Sequence, residues 1–317
     1  MMATMQTEPD AIARIKPRAL RPGDTIGIIA PAGVVDRGAF DAGCARLNEL
    51  GYATTWFESI FERDQYFAGP VMRRVAELKE MFLRPDIHAI VCARGGYGCN
   101  YLLPHMDAAS LRAHPKIFVG FSDVTTLLTW LVDRGMVAIH GPMVMRGFAD
   151  DSADVESFRA VVGGLPLSLT FVAGSGVSVL RQGSAKGVLY GGCLSLLAES
   201  LGTAYEVQPR GKLLFIEDVN VHAYQVDRML THLRMAGKLD SVRGFLFGQF
   251  AGCDEPGGDY TLREAILRAL DGLDVPIVAG IPSGHVDRGN LTLPMGVPGR
   301  LRAEDSVELN CNAAADL

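Results

Sequence analysis

No stretch of the chain approaches the ~20 uninterrupted apolar residues of a bilayer-spanning helix. The N-terminus, Met1-Met-Ala-Thr-Met-Gln-Thr-Glu-Pro-Asp10, lacks a positive segment followed by an apolar core. A protein that is neither exported nor membrane-spanning, and so cytoplasmic, is the expectation. The cysteines (Cys44, Cys92, Cys99, Cys193, Cys253, Cys311) show neither the C-x-x-C spacing of a zinc site nor the density of a disulfide scaffold, which predicts reduced thiols. H-E-x-x-H is absent and the histidines are dispersed, so no metal is expected. Positive charge is also in deficit: 30 Lys and Arg against 36 Asp and Glu leave a net charge of -6, which excludes a phosphate-backbone partner from the expected functions.

What is present is an ordinary globular composition, 48% hydrophobic and 21% charged, over 317 residues, enough for about two domains of ~150 each. Residues 1–16 are expected to be a disordered or extended leader. Thr25-Ile-Gly-Ile-Ile-Ala30 follows a turn and reads as a short strand. A helix is predicted over 36–50 from Phe40, Cys44, Leu47 and Leu50, a strand over 52–56, and a second helix with Val71, Val75, Leu78 and Phe82 on one face, ending before Pro85. This alternation predicts an α/β domain over 17–164, with a parallel sheet covered on both faces. Residues 165–186, rich in Pro, Ser, Gly and Val with alternating apolar positions, predict short strands and turns and are taken as the linker. Residues 187–317 predict a smaller α+β domain, with strands at 187–190, 212–216, 244–247 and 275–279 and helices near 194–201, 224–235 and 262–270.

Two strand ends in the first half carry chemistry. Ile117-Phe-Val119 reads as a buried strand and residues 124–131 as the helix after it, which puts Ser122 at the strand-to-helix turn, where free helical N-H groups can face a developing negative charge. Ser before Asp123 is also the ordinary signature of a helix N-cap. The glycine pair Gly95-Gly96, at the end of the apolar strand Ile90-Val-Cys-Ala93, favours the chemical alternative, because a loop without Cβ atoms lets a substrate carbonyl approach backbone N-H groups. A dinucleotide site is not indicated, since Gly96-Tyr-Gly98 continues Cys99-Asn-Tyr101 without the third glycine of G-x-G-x-x-G. Gly120-Phe-Ser-Asp-Val124 is not G-x-S-x-G, so the elbow of the α/β-hydrolases is not indicated either.

Four segments, Ala93-Arg-Gly-Gly-Tyr-Gly, Gly120-Phe-Ser-Asp-Val-Thr, Leu214-Phe-Ile-Glu217-Asp and Gly280-Ile-Pro-Ser-Gly-His285, resemble in order the motifs of the LD-carboxypeptidase family of serine peptidases. That family includes the muramoyl-tetrapeptide carboxypeptidases and the microcin immunity peptidases, and the resemblance runs from about Pro17 to about Leu309. It implies a Rossmann- or flavodoxin-like nucleophile domain followed by a swivelling, barrel-like C-terminal domain. Spacing does not choose between Glu217 and its neighbour Asp218, and of the histidines it leaves His140 and His285. The resemblance selects Ser122 as nucleophile, His285 as general base and acid, and Glu217 as the carboxylate that orients it. On this scheme the N-H groups of Gly95 or Gly96 and of Asp123 form the oxyanion hole.

Arg94 is the candidate for the substrate's terminal carboxylate, against the plain alternative of an ion pair. Cys193 stands where family members commonly have Asn, so any substrate contact of that Asn is open here. No cofactor is implied. The implied substrate is a murein tetrapeptide that loses its terminal D-Ala, and the implied assembly is a homodimer. The alternatives are a microcin-immunity peptidase acting on peptidyl-nucleotides, which goes with a Trp that 165–186 lacks, and a non-catalytic ligand-binding protein.

Overall fold

The computed structural model describes residues 14–253 and 260–317, so most of the expected leader lies outside the described residues. Five short strands, β1 (Thr25–Ile29), β2 (Ala53–Thr55), β3 (Ala89–Cys92), β4 (Ile117–Gly120) and β5 (Ala138–His140), pair in parallel in the order β2-β1-β3-β4-β5. That is the flavodoxin-like order, whose ligand crevice lies at the carboxyl ends of the strands. β3 and β4 are buried along their whole length, which is why they read as continuous apolar runs rather than as alternation. The helix expected at 36–50 spans Arg37–Glu49, with Asp36 as its N-cap, accepting from the Ala39 N-H, and Leu50 as its C-cap. The second helix, Val71–Leu83, ends two residues before Pro85, as the missing N-H and the ring of proline dictate.

The second sheet contains β6 (Leu167–Phe171), β7 (Ser178–Arg181), β8 (Gly183–Cys193), β9 (Leu213–Val219), β10 (Gly244–Ala251), β11 (Ile277–Ile281), β13 (Pro298–Ala303) and β14 (Val307–Cys311), in the order β6-β14-β13-β8-β9-β10-β11-β7. The remaining strand, β12 (Leu293–Met295), runs antiparallel to β5 and completes the first sheet, although it lies late in the chain. Segment 165–186 supplies β6 and β7 at the two ends of the second sheet. The long strand β8 pairs with β13 along its first half and with β9 along its second. β9 continues to Val219 rather than stopping at Ile216, so Glu217 sits inside the strand, opposite Cys193. All six cysteines are buried and none is joined in a disulfide.

One helix, Thr125–Asp133, joins the two sheets. At its start, Thr125 Oγ1 accepts from the Cys193 N-H at 3.0 Å; at its end, Asp133 accepts from Tyr190 Oη at 2.7 Å and meets Lys212 Nζ at 2.9 Å. The first contact is possible because Gly192, at φ +146, has no Cβ, which would collide with Thr125 Oγ1. Gly192→Ala is therefore expected to cost ~2–3 kcal/mol, from backbone strain and overpacking together. A denaturant midpoint equal to that of the unaltered protein would refute this account of the contact.

Candidate active site

Arg74 ties together the loops beside the crevice. Its guanidinium is almost wholly buried and donates to the carbonyls of Pro31, Gly69 and Gly98, which ties the loop after β1 to the loop after β3. Carbonyls are acceptors that arginine's planar fork can collect from several directions without needing a carboxylate. The loop after β3 is thereby pressed against the turn after β4. A Cβ on Gly95 would lie 2.8 Å from Ser122 Cβ and 2.9 Å from its Oγ. Only glycine fits beside this serine.

Ser122 has φ +62, a left-handed conformation that L-residues adopt at a cost. It opens a short 3-10 turn, Ser122–Val124, before helix Thr125–Asp133, and its side chain caps nothing. The N-cap alternative is thus not realised: the hydroxyl faces out of the turn, toward His285. Without G-x-S-x-G and outside the α/β-hydrolase fold, the turn has a comparable strand–strained serine–helix geometry. The close approach that normally needs two glycines is met here by one, since a Cβ on Gly120 would lie 2.6 Å from Val124 Cγ1.

The second half of the chain supplies the partners. His285 lies in the loop after β11, with Nε2 3.1 Å from Ser122 Oγ and Nδ1 2.6 Å from Glu217 Oε2, which also accepts the His285 backbone N-H at 3.2 Å. The strand periodicity of two separates the neighbouring acids. Glu217 turns toward His285, whereas Asp218 accepts from the N-H and hydroxyl of Ser195 at 2.9 and 2.7 Å and so caps helix Leu194–Glu199. His140, the other histidine left open by spacing, is fully buried, with Nε2 3.9 Å from Glu217 Oε1.

These contacts set the charges. Burial opposes ionisation of Glu217, but His140 and His285 outweigh it and hold the carboxyl down at about 2. At 3.9 Å the His140 contribution is that of a nearby imidazole rather than of a formed hydrogen bond. For His285, burial disfavours the cation and Glu217 more than reverses it, aided by Asp218 and opposed by Arg146, so its pKa is raised above the ordinary value. Asp123 is buried and pushed up by desolvation, against the Cys99 N-H that donates to its Oδ2 at 2.8 Å.

A cavity of roughly 420 Å³ opens onto Ser122 and His285, bounded by Gly95, Gly96, Phe121, Arg94 and Arg146. The amides of Gly95, Gly96 and Asp123 donate to no backbone acceptor among the described residues. Arg94 donates to the Val34 carbonyl at 3.1 Å and makes no ion pair among the described residues, so its positive charge is available to the cavity. Arg146, which no sequence signal singled out, is the second cation there and is shared with Asp150 and Asp287. Cys193 is not brought to the cavity. It is buried on the strand beside Glu217, its sulfur 3.5 Å from Asp218 Oδ1, with burial pushing the thiol well up. A larger groove, roughly 740 Å³, lies at the other end of β9 beside Lys186, Arg210 and Arg243, and is lined by no residue of the Ser122 site.

The family model for the LD-carboxypeptidase N-terminal domain matches residues 26–141, and that for the C-terminal domain residues 186–301. A protein of Bacillus subtilis (strain 168) named "Probable murein peptide carboxypeptidase" is 36% identical over 89% of this chain and 89% of its own length. The microcin C7 self-immunity protein MccF of Escherichia coli is 28% identical over 87% of this chain and 89% of its own. The crystal structure of muramoyltetrapeptide carboxypeptidase from Oxalobacter formigenes superposes with a TM-score of 0.84 at 28% identity, covering 92% of this chain and 100% of that one.

The depressed pKa of Glu217 carries a stability prediction. Its folded value lies below the ordinary 4.5, so the stabilisation is fully present above about pH 4.5 and is lost as pH falls toward 2. The stability advantage of the unaltered protein over Glu217→Gln, read from denaturant midpoints, is expected to shrink between pH 6 and pH 3. A constant difference over that range would contradict the assignment of the buried charge.

Proposed function

The chain belongs to the LD-carboxypeptidase family, and from that premise we propose that it is a serine carboxypeptidase releasing terminal D-Ala from murein tetrapeptides. The bond cleaved is the amide between the L-centre of a meso-diaminopimelate or L-Lys residue and D-Ala. The observation that carries this reading is the continuous contact Ser122 Oγ, His285 Nε2, His285 Nδ1, Glu217 Oε2, at 3.1 and 2.6 Å.

Ser122 Oγ adds to the amide carbonyl carbon while its proton passes to His285 Nε2, and Glu217 holds the tautomer that leaves Nε2 free to receive it. The oxyanion develops against the amides of Gly95 or Gly96 and of Asp123. Return of the proton to the leaving nitrogen breaks the C-N bond, frees D-Ala and leaves an ester on Ser122. Water, deprotonated by the same imidazole, then hydrolyses the ester. Arg94 would hold the terminal carboxylate, which makes the enzyme an exopeptidase. A reading as a binding protein leaves the strained Ser122 and its bond to His285 without a purpose.

The microcin-type alternative is disfavoured by the aromatic residues. Trp130 is buried, Trp56 packs edge-on against Phe40, and Phe171 is half-buried in β6, so none of them lines the cavity. Peptidyl-adenylates are expected to be poorer substrates than the tetrapeptide. A higher kcat/KM for an aminoacyl-nucleotide on the same preparation would reverse that choice while leaving the serine mechanism intact. The cytoplasm and a homodimer complete the proposal, to be checked by cell fractionation and light scattering.

Incubation with a murein tetrapeptide should release D-Ala, and an L,L-peptide control should remain intact. Ser122→Ala should fold and lose several orders of magnitude in kcat/KM, because the three residues act as a unit; near-normal turnover would sink the mechanism. The base must be neutral, and its pKa is raised, so kcat/KM should rise with pH through one ionisation above the ordinary ~6.5 of histidine. A flat profile between pH 5 and 8 would remove His285 from the role.

A further inference from the structure

Glu217 presents its two oxygens to two imidazoles, and the relay accounts for only one of them. Oε2 binds His285, whereas Oε1 faces His140 Nε2 at 3.9 Å; both of these side chains are fully buried, and neither of the facing atoms has a hydrogen-bond partner among the described residues. Unpaired polar atoms in such a place are costly.

The protons around His140 can be assigned from its other side. Nδ1 lies 3.2 Å from Ser283 Oγ, and Ser283 Oγ lies 2.7 Å from the Leu291 carbonyl. A hydroxyl has one proton to donate, and a carbonyl can only accept. Ser283 therefore donates to Leu291 O and accepts from His140 Nδ1-H. A neutral ring protonated at Nδ1 would turn the Nε2 lone pair toward a carboxylate. The reverse tautomer would leave Ser283 Oγ and Leu291 O in contact with no proton between them. Only a ring protonated on both nitrogens turns a proton toward both Ser283 Oγ and Glu217 Oε1. The rings of Phe215 and Phe121, centred 5.0 and 5.9 Å from the imidazole, wall the pair with apolar surface.

We infer that His140 is a positioning residue for the reaction proposed above: it turns a protonated Nε2 toward Glu217 Oε1 at 3.9 Å, a charge contact longer than a hydrogen bond, flanks the carboxylate with a second imidazole, and limits how much of its charge His285 feels. The titratable groups facing Glu217 are His140, His285, Cys193 and Asp218, and those facing His285 are Glu217, Asp218 and Arg146. A cation on Oε1 offsets negative charge that would otherwise act wholly on His285, so the general base titrates lower, and is neutral over a wider pH range, than it would beside Glu217 alone.

The inference rests on the catalytic reading of Ser122, His285 and Glu217, and its test has one arm independent of activity. In Ser122→Ala labelled with 15N in its histidine rings, His140, assigned through its ring contacts to Phe121 and Phe215, is expected to show two protonated nitrogens at pH 7. One bare nitrogen would overturn the inference. In the kinetic arm, His140→Gln keeps a donor and removes the charge, and the acid limb of kcat/KM should move to higher pH by about one unit; an unmoved limb, or one moved downward, would overturn it. If His140→Gln does not fold, the nitrogen measurement decides alone. Failure of the unaltered protein to hydrolyse the tetrapeptide would strike the carboxypeptidase reading and leave that measurement standing.

Discussion

Helix Thr125–Asp133 is fastened to the second sheet at both ends, and the relay exists only because it is. Ser122 sits on the turn that feeds this helix, whereas Glu217 sits on β9, beside the strand that supplies Cys193 and Tyr190 to the fastening. Hydrogen-bond reach leaves tenths of an ångström of freedom, and misplacement by about an ångström costs about a hundredfold in rate. The Asp133–Lys212 pair, mostly buried and joined by the Tyr190 hydroxyl, adds little net stability by the usual balance of desolvation against attraction. Its value is in register, because both partners of that carboxylate, Tyr190 and Lys212, come from the second half of the chain.

Within this frame the site concentrates charge where water is excluded. A fully buried carboxylate is among the costliest groups a fold can contain, and it persists ionised here because imidazoles approach both of its oxygens. The adjacent Asp218 shows the cheaper use of the same chemistry. It caps a short helix and makes three hydrogen bonds to N-H and hydroxyl groups. Neighbouring acids on one strand thus do separate work, because a strand turns successive side chains to opposite faces.

How much of this was legible in the sequence follows from which forces are local. The parallel sheet, the helix over 36–50 and the placing of Ser122 between strand and helix come from short-range patterns, and the helix and strand limits agree to within a few residues. The left-handed Ser122 was hidden because the second glycine of the usual signature is Val124 here. The choice between Glu217 and Asp218 needed the face of β9 that looks toward the loop after β11, which spacing along one chain does not contain. Cys193 looked like a site residue because it replaces an Asn, yet its side chain faces Asp218 under the strand. His140 and Arg146 reach the site only through contacts with distant segments: Ser283 and Glu217 for the first, Asp287 for the second.

The strand β12 gives the molecule an unusual seam. Residues Leu293–Met295 leave the second sheet's part of the chain to pair with Ala138–His140, so the first sheet is finished by a segment synthesised about 150 residues after its previous strand. An emerging N-terminal half would therefore wait with β5 as an open edge, the kind of edge that recruits other strands. Cutting the gene between the two sheets would not yield two self-contained pieces. The N-terminal piece would lack its last strand, and a split protein of this kind would reassemble by strand addition at β5 rather than by docking of finished surfaces.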